Sequence, residues 1–196
     1  MDRERFERQR DFILEIDREK EVLRQTHITG YARREDDAEH AWHMAVMAYL
    51  LGEYANEPVD IARTMIMCLV HDVVEIDAGD SYAYDSSAQA THVEHETHAA
   101  ERIFGLLPDD QAADLRALWE EFEADETPEA RFARAMDNVQ PLMLNDSNGG
   151  RDWVAHDVSI HETRGRNATT RLGSAELADY VEERFEANVE KGSLRP

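Results

Sequence analysis

Lysine is nearly absent from this chain. Lys20 and Lys191 are the only two, and basic residues of both kinds number 21 against 43 aspartates and glutamates, a formal net charge of −22. Such a surface excludes nucleic acid as a partner, because phosphate neutralisation needs clustered cations. It also repels anionic membranes. Cysteine is as scarce: the single Cys68 cannot form an internal disulfide, and within its apolar run it reads as a buried, reduced thiol of a cytosolic protein. No apolar stretch reaches the ~18 residues of a transmembrane helix. The charged start Met1-Asp2-Arg3-Glu4-Arg5 lacks the hydrophobic region of a secretory signal. There is no glycine-rich phosphate cradle either; Phe104-Gly105-Leu106-Leu107-Pro108 is a helix end followed by a helix start. Acidic excess with little lysine is what a salt-adapted protein shows, and that reading predicts stability that rises with KCl; an ordinary acidic protein gains nothing in molar salt.

What is present is a helical pattern. With 42% hydrophobic residues in 196, the chain has the length and composition of one all-α domain spanning 1–196. An amphipathic helix is expected from Asp2 to about Arg24, with Phe6, Ile13, Ile16 and Leu23 on its apolar side. A polar loop, Tyr31 to Asp37, leads to a helix from about Ala38 to Ala55, capped by Asp36 or Asp37. The next begins near Pro58 and continues through the apolar run Ile61 to Val70 as far as Ile76; being apolar nearly all round, it is expected to be the central buried helix. Ala78 to Ala90 reads as a loop, followed by helices at Val93–Phe104, Pro108–Glu123 and Pro128–Leu144. A short helix near Trp153 and a last one from Ser174 to about Val189 complete the chain, with no strand and no internal repeat.

The apolar run ends in His71-Asp72-Val73-Val74-Glu75-Ile76-Asp77-Ala78-Gly79-Asp80, one histidine and four carboxylates in ten residues. Carboxylates at the end of a buried helix need compensation, and a metal ion held by the adjacent His71 and Asp72 supplies it. Glu75, at i+4 and i+3 from that pair, shares their neighbourhood. His40 is the best third ligand and Asp137 a fourth, since an aspartate on the apolar face of its helix wants a partner and Pro141 cannot donate to its carbonyl. Asp77 faces away on the helical wheel and reads as structural. The second dipeptide, His156-Asp157, lies in a polar segment and reads as surface.

Taken together, Ala38-Glu39-His40-x-Trp42-His43, then His71-Asp72-x-x-Glu75-x-x-x-Gly79-Asp80, then Asp137, resemble the HD-domain metal-dependent phosphohydrolases, and within them the 5'-deoxynucleotidase-like branch, over about Arg24 to Asn145. The resemblance implies an HD-fold helical bundle with a core at about 24–145 and flanking helices. His40, His71, Asp72 and Asp137 would hold one divalent cation, with Mn, Co, Fe, Ni, Zn and Mg all open. Asp72 and Glu75 would carry the catalysis, Glu75 by positioning water or protonating the leaving oxygen, and Asp80 would hydrogen-bond the sugar. The implied activity is release of phosphate from nucleoside 5'-monophosphates, deoxyribonucleotides foremost, by a cytoplasmic homodimer. A guanosine tetraphosphate hydrolase or a catalytically silent sensing module are the alternatives; the Gly-Tyr-Pro of cyclic-dinucleotide phosphodiesterases is missing, because Gly30-Tyr31 is followed by Ala32. In such deoxynucleotidases an Arg-Trp pair ahead of the first histidine serves the phosphate and crowds a ribose hydroxyl. Here Arg24 is followed by Gln25, so the phosphate falls to Arg24, Arg33 or Arg34, and the deoxy preference loses its tryptophan. His43 either supports His40 or packs; Tyr82 and Tyr84 either stack on a base or pack the loop; His92, His95 and His98 are a second metal site or a solvated face.

Overall fold

In the computed structural model, the described residues are 1–79 and 89–196, the side chains of 89–93 excepted. The chain opens with α1 (Arg3–Glu15), capped by Asp2, whose carboxylate accepts from the Arg5 amide. A 3₁₀ segment, Ile16–Glu21, ends it well before Arg24. There the structure departs from the helical expectation: β1 (Leu23–His27) pairs antiparallel with β2 (Arg34–Asp36), Leu23 opposite Asp36 and His27 opposite Arg34. The turn between them places Gly30 at φ 87° and Tyr31 at φ 63°, the left-handed region that glycine enters without strain. Asn148 fastens this hairpin to the body, donating to the His27 and Ile28 carbonyls and accepting from the Gly30 amide.

The helices that follow are α2 (Asp37–Leu51), α3 (Ile61–Val70), the single turn α4 (Glu75–Ala78), α5 (Gln89–Phe104), α6 (Asp109–Ala124) and α7 (Pro128–Ser147). After them come α8 (Arg151–Ala155), α9 (Ile160–Arg166), α10 (Thr170–Gly173) and α11 (Ala175–Glu190). Local chemistry sets most starts. Asp36 and Glu39 form a capping box on α2, Asp60 caps α3 beyond Pro58, Thr127 caps α7 with Pro128 in its first turn, and Ser159 with Glu162 closes a second box on α9. The bundle is all-α apart from the one small hairpin, as expected, with α9 and α10 added to the expected set.

The central helix is α7 rather than α3. It buries Phe132, Ala133, Met136, Val139 and Leu142 and runs unbroken through Pro141. By contrast α3 leaves Ile66 and Leu69 exposed. Around α7 the large buried side chains are Met44, Met67, Ile103, Phe104, Phe122 and Phe185, each contributing about 1.5–3 kcal/mol by leaving water. Packed against this core, α2, the turn after α3, and α7 bring three separated stretches of sequence to one place.

Candidate metal centre

His40 comes from the second turn of α2, His71 and Asp72 from the turn that ends α3, and Asp137 from the middle of α7. One ligand atom each from His40, His71 and Asp72 lies within 4.8 Å of the others. Asp137 joins through its Oδ1, 3.2 Å from His40 Nε2. All four are buried or nearly so: His40 is fully buried, His71 and Asp137 are each 3% exposed, and the Asp72 side chain is 14% exposed.

The histidine tautomers follow from what lies behind each ring. Gln140 turns its amide nitrogen to Glu35 Oε1 at 2.6 Å, so its Oε1 faces His40 and accepts from Nδ1 at 3.0 Å. His71 Nδ1 donates to the Cys68 carbonyl at 2.8 Å. In the neutral form of each ring Nδ1 carries the proton, and Nε2 is the nitrogen turned to the centre with a lone pair to offer a cation. His40 Nε2 meets Asp137 Oδ1, and His71 Nε2 lies 3.0 Å from Asp72 Oδ2 while making no hydrogen bond. Two acceptor atoms in such proximity repel unless a cation lies between them. The residues thus fit a divalent metal: two imidazole nitrogens and two carboxylates, converging, with donors behind them that fix ring orientation.

Charge in the surroundings agrees. Burial, helped by Arg24, pushes His40 down to about 4, so it is neutral at neutral pH. Burial pushes His71 down, but the Asp72 and Asp137 charges push harder and raise it: the pair demands a cation. Burial opposes ionisation of Asp72 and Asp137, yet the histidines and the arginines hold both below the usual carboxylate range, Arg24 acting on Asp72 and Arg166 on Asp137. Glu35 and Glu19 behave oppositely. Burial raises Glu35 to about 7 and Glu19 to about 8, so near neutrality Glu19 is mostly protonated and Glu35 only partly ionised. A second group of carboxylates, Asp37, Asp72 and Glu75, also comes within 4.8 Å. Arg24 Nη1, 3.3 Å from Asp37 and 2.9 Å from Asp72, already supplies the cation there.

The ligand cluster opens onto a cavity of about 600 Å³. Arg24, His71, Asp72, Glu75 and Asp137 line its inner end, and Glu75 is 9% exposed. Of the arginines read for the phosphate, Arg24 is therefore at the cavity. Arg33 is not: it forms an exposed ion pair with Glu39, 2.7 Å from its Oε2. Arg34 is exposed on β2. Asp80, Tyr82 and Tyr84 lie outside the described residues, and so does the His92 side chain. His95 is exposed, and His98 is exposed beside Glu101, so the described part of that face is solvated. His43 is half-buried with Nδ1 3.1 Å from the Gln140 amide nitrogen, one residue removed from His40. Asp77 pairs with Arg102, away from the cluster.

Glu35, Gln140, Arg134 and Arg166 were not singled out by the sequence. Gln140 and Arg134 had a signal, since each lies three residues from Asp137 on α7 and shares its face. Arg166 had none, lying on a short polar helix far along the chain.

The HD-domain family profile matches residues 16–178. A crystal structure from Magnetospirillum magnetotacticum MS-1, titled a predicted metal-dependent phosphohydrolase, is 46% identical with a TM-score of 0.94, over 98% of this chain and 96% of that one. The 5'-deoxynucleotidase HDDC2 of Danio rerio is 31% identical over 120 residues, 59% of this chain and 58% of that protein. The Homo sapiens protein of the same name is 31% identical over 111 residues, 57% of this chain and 53% of that protein. The chain thus spans little more than half the length of these two curated relatives, and all the residues paired above at the cluster fall inside the family match. This chain belongs to the HD-domain family.

Proposed function

We propose that this chain is a divalent-metal-dependent phosphohydrolase that releases phosphate from nucleoside 5'-monophosphates, deoxyribonucleotides foremost. The observation that carries this is the pair of histidine Nε2 atoms facing carboxylate oxygens at the wall of a substrate-sized cavity. The names of the relatives support the substrate class. In this reading His40, His71, Asp72 and Asp137 hold one cation, drawn from Mn, Co, Fe, Ni, Zn or Mg. When bound there it polarises a phosphoryl oxygen and lowers the pKa of water.

The protein's own groups do the rest. Gln140 and the Cys68 carbonyl keep the two imidazoles in the ligating tautomer. Glu75, at the cavity wall, orients the attacking water or hands a proton to the leaving oxygen. Arg24 balances Asp72 and meets the phosphate from that side, and Asp80 binds the sugar. The working form is a homodimer in the cytosol. Among the described residues no helix is long and apolar enough to cross a membrane, and the acidic surface disfavours nucleic acid.

A phosphate-release screen over deoxy- and ribonucleoside monophosphates, each with Mn, Co, Mg and Zn, tests the proposal. Release from the deoxy series with at least one metal is expected. Release only from guanosine tetraphosphate, or none from fully metallated protein, would replace this reading by one of the two alternatives.

A further inference from the structure

A phosphate monoester dianion entering a chain of net charge −22 needs local cations. Arg24 is one, but its guanidinium faces three carboxylates, 2.9 Å from Asp72, 3.3 Å from Asp37 and 3.9 Å from Glu35, and its side chain is only 12% exposed. Across the ligand set the balance is reversed. Asp137 Oδ2 faces two guanidiniums, Arg166 at 2.8 Å and Arg134 at 3.7 Å. Arg134 is held in place, stacked 3.8 Å over the Phe122 ring and bonded to the Phe122 carbonyl and Glu123. Arg166 ends α9, lines the cavity, and is the more exposed of the two at 29%. Its planar fork carries five donors, and Nη2 donates to Asp137.

We propose that Arg166, supported by Arg134, binds the phosphoryl group of the substrate beside Asp137. This deepens the phosphohydrolase reading and rests on it. An anion drawn to the cation-rich side of Asp137 meets the Arg166 fork, whose geometry suits two phosphate oxygens at once. Specificity for a phosphate monoester then comes from a helix outside the three that carry the ligands.

The competing role for Arg166 is to hold Asp137 in place, and two variants separate the roles. Arg166→Gln keeps an amide donor for Asp137 without the charge; Arg166→Lys keeps the charge without the fork. Binding of inorganic phosphate to metal-loaded protein is measured by calorimetry, alongside metal content, KM and kcat. The expected result is about 10- to 100-fold weaker phosphate binding in Arg166→Gln, with KM raised in parallel and metal content unchanged, and an intermediate loss in Arg166→Lys. Phosphate affinity equal to wild type in Arg166→Gln, or loss of metal together with phosphate, overturns the proposal. If wild type binds phosphate in this Arg166-dependent way yet releases none from any nucleotide, the anion site stands and the hydrolase reading falls.

The outer face of α2 carries a separate signal. No Asp, Glu, Lys or Arg occurs between residues 40 and 52 or between 64 and 71, in a chain that is 33% charged. Helices apolar on every side are buried on every side, yet Trp42 is 62%, Tyr49 68% and Leu50 62% exposed, with Val46, Ile66 and Leu69 also open. Trp42 and Tyr49 alone offer about 250 Å², and the six side chains together suit the apolar centre of an interface of about 800 Å² per partner. Resting on the homodimer of the proposed function, we infer that this face is where its two copies meet, about a two-fold axis. Copies this acidic repel one another, so they meet where charge is missing, and a single-helix stripe at i, i+4, i+7, i+8 is self-complementary in that arrangement. Sedimentation of wild type, Tyr49→Glu and, as a control elsewhere on the surface, Leu172→Glu tests it. Dimers in wild type and the control, with dissociation about 100-fold or more easier in Tyr49→Glu, are expected. A monomeric wild type, or an undisturbed Tyr49→Glu dimer, overturns it.

Discussion

Replacing Gln140 by Leu removes no proposed ligand, yet it is expected to damage the metal centre. Gln140 is fully buried, and its amide joins His40 Nδ1 at 3.0 Å, Glu35 Oε1 at 2.6 Å and His43 Nδ1 at 3.1 Å. Leucine nearly fills the same volume, so the cavity contribution is small. What remains is polar: the His40 Nδ1–H and Glu35 Oε1 each lose their buried hydrogen bond to Gln140, at about 1–3 kcal/mol each, so folded-state stability should fall by about 2–6 kcal/mol. The His40 ring also loses the acceptor that fixes its tautomer, which should weaken metal binding by about 10- to 100-fold. Thermal denaturation without metal reads the first effect. Titration with Mn or Co in competition with a chelating indicator reads the second. Reduced stability with unchanged metal affinity would refute the claim that the Glu35–Gln140–His40 chain orients a ligand.

Glu75→Gln should lower kcat by about 10²–10⁴-fold while leaving metal content and phosphate affinity intact, if the carboxylate moves a proton; an unchanged kcat would remove Glu75 from the mechanism. Glu19 gives a pH signature. Burial, with the negative charge of Asp72 adding to it, raises its carboxyl from the ordinary value to about 8. The folded state therefore keeps a proton that the unfolded state loses, and this contribution to stability is complete below the ordinary carboxylate pKa and lost as pH rises through 8. Glu19→Gln removes that loss. In chelator-treated protein it should match wild type near pH 5 and exceed it by a few kcal/mol near pH 9, and an equal difference at both pH values in denaturant titrations would contradict the burial argument.

The candidate metal cluster could be proposed from the sequence because its residues break a pattern. His71 and Asp72 end an apolar run, and Asp137 interrupts the apolar face of α7, so each announces a need for compensation. The long helices were legible for the same reason, through periodicity and through the caps Asp36, Asp60 and Thr127. The hairpin was not. β2 is Arg34-Glu35-Asp36, with no apolar alternation, and what orders it is distant: Asn148 binds the turn, and Gln140 satisfies the buried Glu35. The buried acids Glu19, Glu35 and Asp37 look like surface residues in a chain rich in them, and only tertiary contact distinguishes them. Arg166 belongs with them, since its meaning depends on α9 folding back over Asp137. The same blindness kept Arg33 and Arg34 beside Arg24 as candidates for the phosphate, although Arg33, near His40 in sequence, is turned outward to Glu39.

The most direct test of the central claim is the metal-to-chain ratio after loading and exhaustive dialysis, measured on wild type, His71→Ala and Asp72→Ala with folding checked by circular dichroism. One divalent ion per wild-type chain and almost none in either folded variant is the predicted result. A wild type that retains no ion, or variants that retain it undiminished, would contradict the assignment of this centre.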